Sequence, residues 1–145
     1  MAWPPVVLCV APNGARRMPS DHPALPVTIA ALAETARRCA DAGAAMMHLH
    51  VRDAAGEHVL DAGLYREATA AVREAVGDRM LVQITSEAVG RYAPAEQMAV
   101  IRAAAPEAVS IALRELFPGP EPEPGTADFL AWAEGSGVAV QWIVY

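Results

Sequence analysis

Four short stretches of this chain carry side chains that alternate in character, apolar on one parity and polar on the other, with helical repeats between them. The clearest runs from Ala45 to Asp53 and reads AMMHLHVRD. Strand side chains point to opposite faces in turn, so His48, His50 and Arg52 share one face and Met47, Leu49 and Val51 the other. The same parity separates Met80, Val82 and Ile84 from Gln83, Thr85 and Glu87, and Val109, Ile111 and Leu113 from Ser110, Ala112 and Arg114. In the last stretch Val140, Trp142 and Val144 oppose Gln141, Ile143 and Tyr145. One face of each strand therefore needs a cover of helices, while the other collects polar groups near its C-terminal end. A flat sheet with helices on both faces would read apolar on both. The asymmetry predicts an α/β fold with a curved parallel sheet of the TIM-barrel, (β/α)8 kind, in which sites lie at the C-terminal ends of the strands.

The remaining elements follow the same logic. Val6 to Ala11 is an apolar run ending in Pro12, Asn13 and Gly14, a strand followed by turn residues. A stiff loop carries Arg16, Arg17, Asp21, His22 and three prolines to Thr28, which caps a helix through about Gly43. Asp61 caps a second helix with Leu64, Tyr65, Ala68, Val72 and Val76 on its buried stripe, stopped at Gly77. Met80 to Glu87 is the third strand, Pro94 opens a third helix ended by Pro106, and Ala108 to Glu115 is the fourth strand. A Pro-rich linker from Phe117 to Gly125 leads to Thr126 as cap of a fourth helix, and Val138 to Tyr145 is the fifth strand. The expectation is one domain over 1–145, an incomplete barrel of about five strands and four helices. Five strands do not close an eight-stranded barrel, so the chain reads as the N-terminal half of one, with unpaired edges at its first and fifth strands.

Composition narrows the function classes. Hydrophobic residues make up 54% of the 145 residues and charged residues 19%, which suits a packed core and argues against disorder. The net charge of −6 offers no basic footprint for nucleic acid, and no apolar run is long enough to span a bilayer. Cys9 and Cys39 are isolated thiols, expected reduced and buried in a cytoplasmic protein.

Taken alone, two histidines two residues apart on one strand face have two readings. They lie about 7 Å apart along the strand, close enough to share a metal ion, and they can equally be hydrogen-bonded core residues. Thr85, Ser86 and Ser110 can bond strand-end backbone or contact a substrate. Arg16 can be a solvated loop residue or an anion contact, and Glu87 a partner for Arg52 or Arg114 or a metal ligand. His22 and His58 sit on loops and are expected to be exposed, with Cys9, Met46 and Met47 as core filler.

APNGARR (Ala11 to Arg17), DHPALPVT (Asp21 to Thr28), DAGAAMMHLHVRD (Asp41 to Asp53), GEHVLD (Gly56 to Asp61) and LYREA (Leu64 to Ala68) together resemble the β-keto acid cleavage enzymes, the family of the 3-keto-5-aminohexanoate cleavage type. The resemblance runs in order along the chain, although members of that family are considerably longer. It implies a TIM barrel with one divalent metal, most often Zn2+, and a β-keto acid exchanging acyl groups with acetyl-CoA to give acetoacetate and a new acyl-CoA. It places the first two metal ligands on His48 and His50. A third ligand, a glutamate, and the acid/base Asp and Arg belong to the part of the family pattern beyond this chain. Substrate contacts fall on Arg16, Thr85, Ser86 and Ser110.

Several positions depart from the amine-substrate members. Arg16 replaces an acid suited to a substrate ammonium, which points to a substrate with a second carboxylate held by that guanidinium. Glu87 stands where a Gly-Gly pair is usual, Arg114 replaces a glycine, and Gln141 and Ile143 replace carboxylates. The expected partners are a small β-keto acid, acetyl-CoA, and a second copy or the missing C-terminal half. Two other classes stay open: another metal-assisted aldolase or lyase on the same barrel, and a non-catalytic metal-binding fragment.

Overall fold

The computed structural model describes residues 4–121 and 123–144. Five parallel strands form one sheet in the order β1-β2-β3-β4-β5: β1 (Cys9–Val10), β2 (Met46–His48), β3 (Leu81–Thr85), β4 (Ala108–Ala112) and β5 (Ala139–Ile143). Chain order equals spatial order, and β1 and β5 do not pair, so the sheet is an open arc of the barrel type. The helices are α1 (Ile29–Asp41), α2 (Ala62–Val76), α3 (Pro94–Ala104), α4 (Leu113–Leu116) and α5 (Thr126–Gly135).

Local chemistry explains most boundaries. The Thr28 hydroxyl accepts the Ala31 N–H at 3.2 Å and the Asp61 carboxylate accepts the Leu64 N–H at 2.7 Å, so both predicted caps open their helices. Gly77, at φ +59°, turns the chain out of α2 into a 3-10 turn over Gly77–Arg79. In α3 the Glu96 carboxylate reaches back to the Ala93 N–H at 2.8 Å.

The core fills the space between helices and sheet. Met47, Leu49 and Val51, then Val82 and Ile84, then Val109 and Ile111 pack against Leu32, Tyr65, Val72, Ile101 and Phe129. These are the apolar parities of the strands, each large side chain contributing about 1.5–3 kcal/mol by leaving water. On the opposite face lie His50, Gln83, Thr85 and Ser110, all buried.

Several expectations need correction. The ladder of β2 ends at His48, and Leu49 to Asp53 continues as extended chain closed by an Arg52 to His58 bridge. The fourth strand ends at Ala112 because Leu113 to Leu116 coils into the single-turn helix α4, burying Leu116. Thr126 is the first residue of α5 and Gly125, at φ +83°, is its cap; the Thr126 hydroxyl instead donates to the Glu123 carbonyl at 2.6 Å. Only Cys9 and Val10 of the first apolar run enter the ladder. Cys9 is exposed there, since an edge strand has neighbours on one side only. Val6, Val7, Leu8, Trp142 and Val144 are exposed at the two edges. Tyr145, the end of the predicted fifth strand, lies outside the described residues. No helix among the described residues is long and apolar enough to cross a membrane.

Candidate metal centre and substrate cleft

The parity of the AMMHLHVRD stretch brings His48 and His50 to the polar face, where their Nε2 atoms stand 3.0 Å apart. Each ring is oriented from behind. The Gln83 amide oxygen accepts the Nδ1–H of His48 at 2.8 Å, and the Gln83 amide N–H donates to Gln141 Oε1 at 2.9 Å, which fixes the amide's direction. That bond leaves a lone pair on His48 Nε2. His50 is held through its backbone: Asn13 accepts its N–H at 3.2 Å and donates to its carbonyl at 2.8 Å.

Arg52, third on that face, has a different task. Its guanidinium donates to the carbonyls of Gly14 at 2.7 Å, Arg17 at 3.0 Å and Gly56 at 2.8 Å, tying the β1–α1 loop to the β2–α2 loop. The loop that carries Asn13 and Arg16 is thereby anchored to the histidine strand.

Glu87 sits at the centre of the polar face. Its N–H donates to Thr85 Oγ1 at 3.0 Å, Thr85 Oγ1 also accepts from the Ser110 hydroxyl at 3.3 Å, and its carbonyl accepts the Nε2–H of His58 at 2.9 Å. The carboxylate then points one oxygen to Arg16 Nη2, 3.9 Å away, and the other to His50 Nδ1, 3.8 Å away. Of its expected partners, Arg52 interacts with it electrostatically, and the bent β3–α3 loop also brings it to Arg16 and His50. His58, expected on an exposed loop, is buried, because the Arg52 to His58 bridge folds that loop over the site.

Two clefts open on this face. One is lined by His48, Thr85, Glu87, Ser110, Ala112 and Glu115. The other is lined by Arg16, Arg52, Glu57, His58, Val89 and Arg91. The geometry thus brings His48, Thr85 and Ser110 together in one cleft, with Arg16 in the other and 3.9 Å from Glu87. The Ser86 hydroxyl and N–H both donate to the Ser110 carbonyl, at 3.2 and 3.1 Å, so this side chain stitches β3 to β4. Sequence reasoning passed over Gln83 as an orienting group, Asn13 as a clamp and Val89, whose φ of +47° is strained for a β-branched residue. The Gln83 parity was the available signal; nothing in the sequence marks the turn at Val89.

Burial, reinforced by His48, His58 and Arg52 nearby, lowers the His50 pKa to about 2, so this imidazole is neutral at ordinary pH. Burial also lowers His58, opposed by its hydrogen bond to the Glu87 carbonyl. Neutral imidazoles are the form that binds metal. A tetrahedral ion with zinc-to-nitrogen bonds near 2.0–2.1 Å holds two nitrogens about 3.4 Å apart, close to the observed 3.0 Å. His50 Nδ1 is buried and without a hydrogen-bond partner, so this ring has an unmet bond on the edge away from His48. The pair fits a metal in these respects. Among the described residues no group of three or more His, Cys, Asp and Glu side chains is arranged to hold one.

An open parallel (β/α) arc with its polar groups gathered at the strand ends is the framework of a barrel enzyme's active-site mouth. The sequence profile of the β-keto acid cleavage enzymes matches residues 5–145, and the chain belongs to that family. Over 85 residues it is 33% identical to the 3-keto-5-aminohexanoate cleavage enzyme of Fusobacterium nucleatum subsp. nucleatum, a stretch that is 59% of this chain and 31% of that protein. The apo structure of ObcA superposes with a TM-score of 0.59 at 20% identity, covering 83% of this chain and 30% of ObcA, a likeness of fold. The matched region is thus about a third of either relative's length.

Proposed function

We propose that this chain supplies the metal-binding half of a β-keto acid cleavage site, at which a β-keto acid and acetyl-CoA yield acetoacetate and a new acyl-CoA. The observation that carries the reading is the pair of facing Nε2 atoms on His48 and His50, with His48 oriented by Gln83. Zn2+ is the best fit to two imidazole nitrogens, and a bound divalent ion would supply Lewis acidity for the charge that develops on a keto acid's oxygens. Gln83 keeps the His48 proton on Nδ1, so the His48 Nε2 lone pair is presented without reorganisation, and Asn13 fixes the His50 backbone. Thr85 and Ser110, one hydroxyl bonded to the other beside His48, offer hydrogen bonds to the substrate carboxylate. Arg16, largely exposed and beside Arg91 in the second cleft, selects a keto acid with a second carboxylate. Ser86 supports this wall from behind. The third ligand and the general base come from a longer partner or a second copy of the chain, in the cytoplasm.

The test is an acyl-exchange assay with zinc-loaded protein, acetyl-CoA and 3-oxoglutarate, followed by NMR for acetoacetate. Acetoacetate that disappears on chelation, and that needs acetyl-CoA, supports the reading. Cleavage without acetyl-CoA would assign a lyase instead. Zinc binding without turnover, with or without the full-length relative, would leave a non-catalytic metal-binding fragment. Within the reading, Arg16→Glu lowers kcat/KM for the dicarboxylic keto acid by tenfold or more relative to an amino-substituted one; an unchanged preference removes Arg16 from recognition.

A further inference from the structure

We infer that Glu87 is the positioning residue for His50, its carboxylate accepting the His50 Nδ1–H when a divalent cation is shared by the Nε2 atoms of His48 and His50; this rests on the metal reading above. Four observations converge on it. His50 Nδ1 is buried with no hydrogen-bond partner, although nearly every such atom in a folded protein has one. The carboxylate oxygen facing it, Glu87 Oε2, is 3.8 Å away, so a shift of about 1 Å makes a charge-assisted hydrogen bond. The Glu87 backbone is held from both sides, by Thr85 Oγ1 on its N–H and by His58 Nε2 on its carbonyl. Its other oxygen faces Arg16 Nη2 at 3.9 Å, which steadies the carboxylate without competing for the same oxygen.

Proton accounting gives the arrangement its direction. Gln83 takes the Nδ1–H of His48, so the 3.0 Å contact between the two Nε2 atoms requires the proton to sit on His50 Nε2. His50 Nδ1 then carries a lone pair that faces a carboxylate, two acceptors with no proton between them. With a cation at the Nε2 pair the ring proton belongs on Nδ1, and the same carboxylate becomes its acceptor. The metal-free site is thus mismatched at Glu87 and the loaded site is matched. Carboxylate, imidazole and metal in line is the arrangement by which outer groups raise ligand basicity and fix the ring. Because Nδ1 and Nε2 lie on opposite edges of the ring, this places Glu87 behind His50 and makes it an orienting group and not a ligand to the shared ion.

The experiment is a zinc titration by calorimetry of the 145-residue chain and its Glu87→Gln variant, with thermal melting of both proteins free of metal. An amide can turn its NH2 to donate to the orphaned Nδ1, so the metal-free variant is expected to melt at the same temperature as the parent or higher. Its zinc affinity is expected to fall 10- to 100-fold. Glu87→Asp, which keeps the charge beside Arg16 and shortens the reach, is expected to lose affinity as well. Equal zinc affinity in parent and Glu87→Gln overturns the role of Glu87 and leaves the metal site standing. A metal-free Glu87→Gln that melts well below the parent also overturns it, by making Glu87 a structural partner of Arg16. No zinc binding by any of the proteins overturns the metal reading of His48 and His50, and this role with it.

Discussion

At the scale of single residues the polar face is a set of orienting bonds, most of them reaching a neighbouring strand or loop. Arg52 shows how far a buried cation can serve structure. Its planar fork reaches three backbone carbonyls in two loops, a pattern a lysine ammonium on a flexible stem does not reproduce. Arg52→Lys is therefore expected to destabilise the fold by about 2–4 kcal/mol, since it strands buried acceptors and loosens the loop carrying Asn13. Urea unfolding measures it, and a loss below about 0.5 kcal/mol, the range of an ordinary surface change, would contradict the anchoring role.

Residues also mark where sequence reading reached its end. His48, His50, Gln83, Thr85 and Ser110 were placed on one face by period alone, because a strand alternates whatever its tertiary setting. His58 was misjudged because its burial depends on a bridge to Arg52 across a tight loop, which no local pattern encodes. Cys9 was misjudged in the other direction: an apolar neighbourhood in sequence predicts burial only when an element covers that strand. The approach of Glu87 to Arg16 and His50 was out of reach because the loop behind it turns through positive φ values at Val89 and Gly90.

At the scale of elements, capping chemistry and helical period made the first two helices legible, while α4 and the start of α5 were not. Leu113 continues the apolar parity of β4 and so reads as strand, yet coiling there buries Leu116 completely. Outside the core, α1 is tied to the turn after α2 by a chain of ion pairs. Arg37 binds Glu34 at 2.7 Å and Asp41 at 3.1 Å, and Arg79 reaches the other Asp41 oxygen at 2.8 Å. Hydrogen bonds from Arg37 and Arg79 hold the Glu34 and Asp41 carboxyls below their usual values. A carboxyl depressed in the folded state stabilises the fold above its unfolded pKa, near 4, and loses that contribution as pH falls through the lower folded value. Acid unfolding should accordingly show a limb below about pH 4 that shrinks in high salt, because these groups are solvent-screened. Asp41→Asn should flatten part of that limb; an identical acid profile in the variant would show that the network does not contribute.

For the whole molecule, the open arc unites fold and function. Chain order equals strand order, so each βα loop delivers its residues to the same end of the sheet: Asn13 and Arg16 after β1, His50 and His58 after β2, Glu87 after β3. The resemblance seen in the APNGARR and HLHVRD segments is borne out by the family match over residues 5–145, and the predicted incomplete barrel by the unclosed sheet. The central claim is that His48 and His50 are two ligands of one metal ion. X-ray absorption at the zinc edge, on protein loaded with zinc and compared with His48→Ala and His50→Ala, tests it most directly. The account predicts two imidazole nitrogens at about 2.0–2.1 Å in the parent and one in each variant. Zinc bound with no imidazole, or a spectrum unchanged by either substitution, would contradict it.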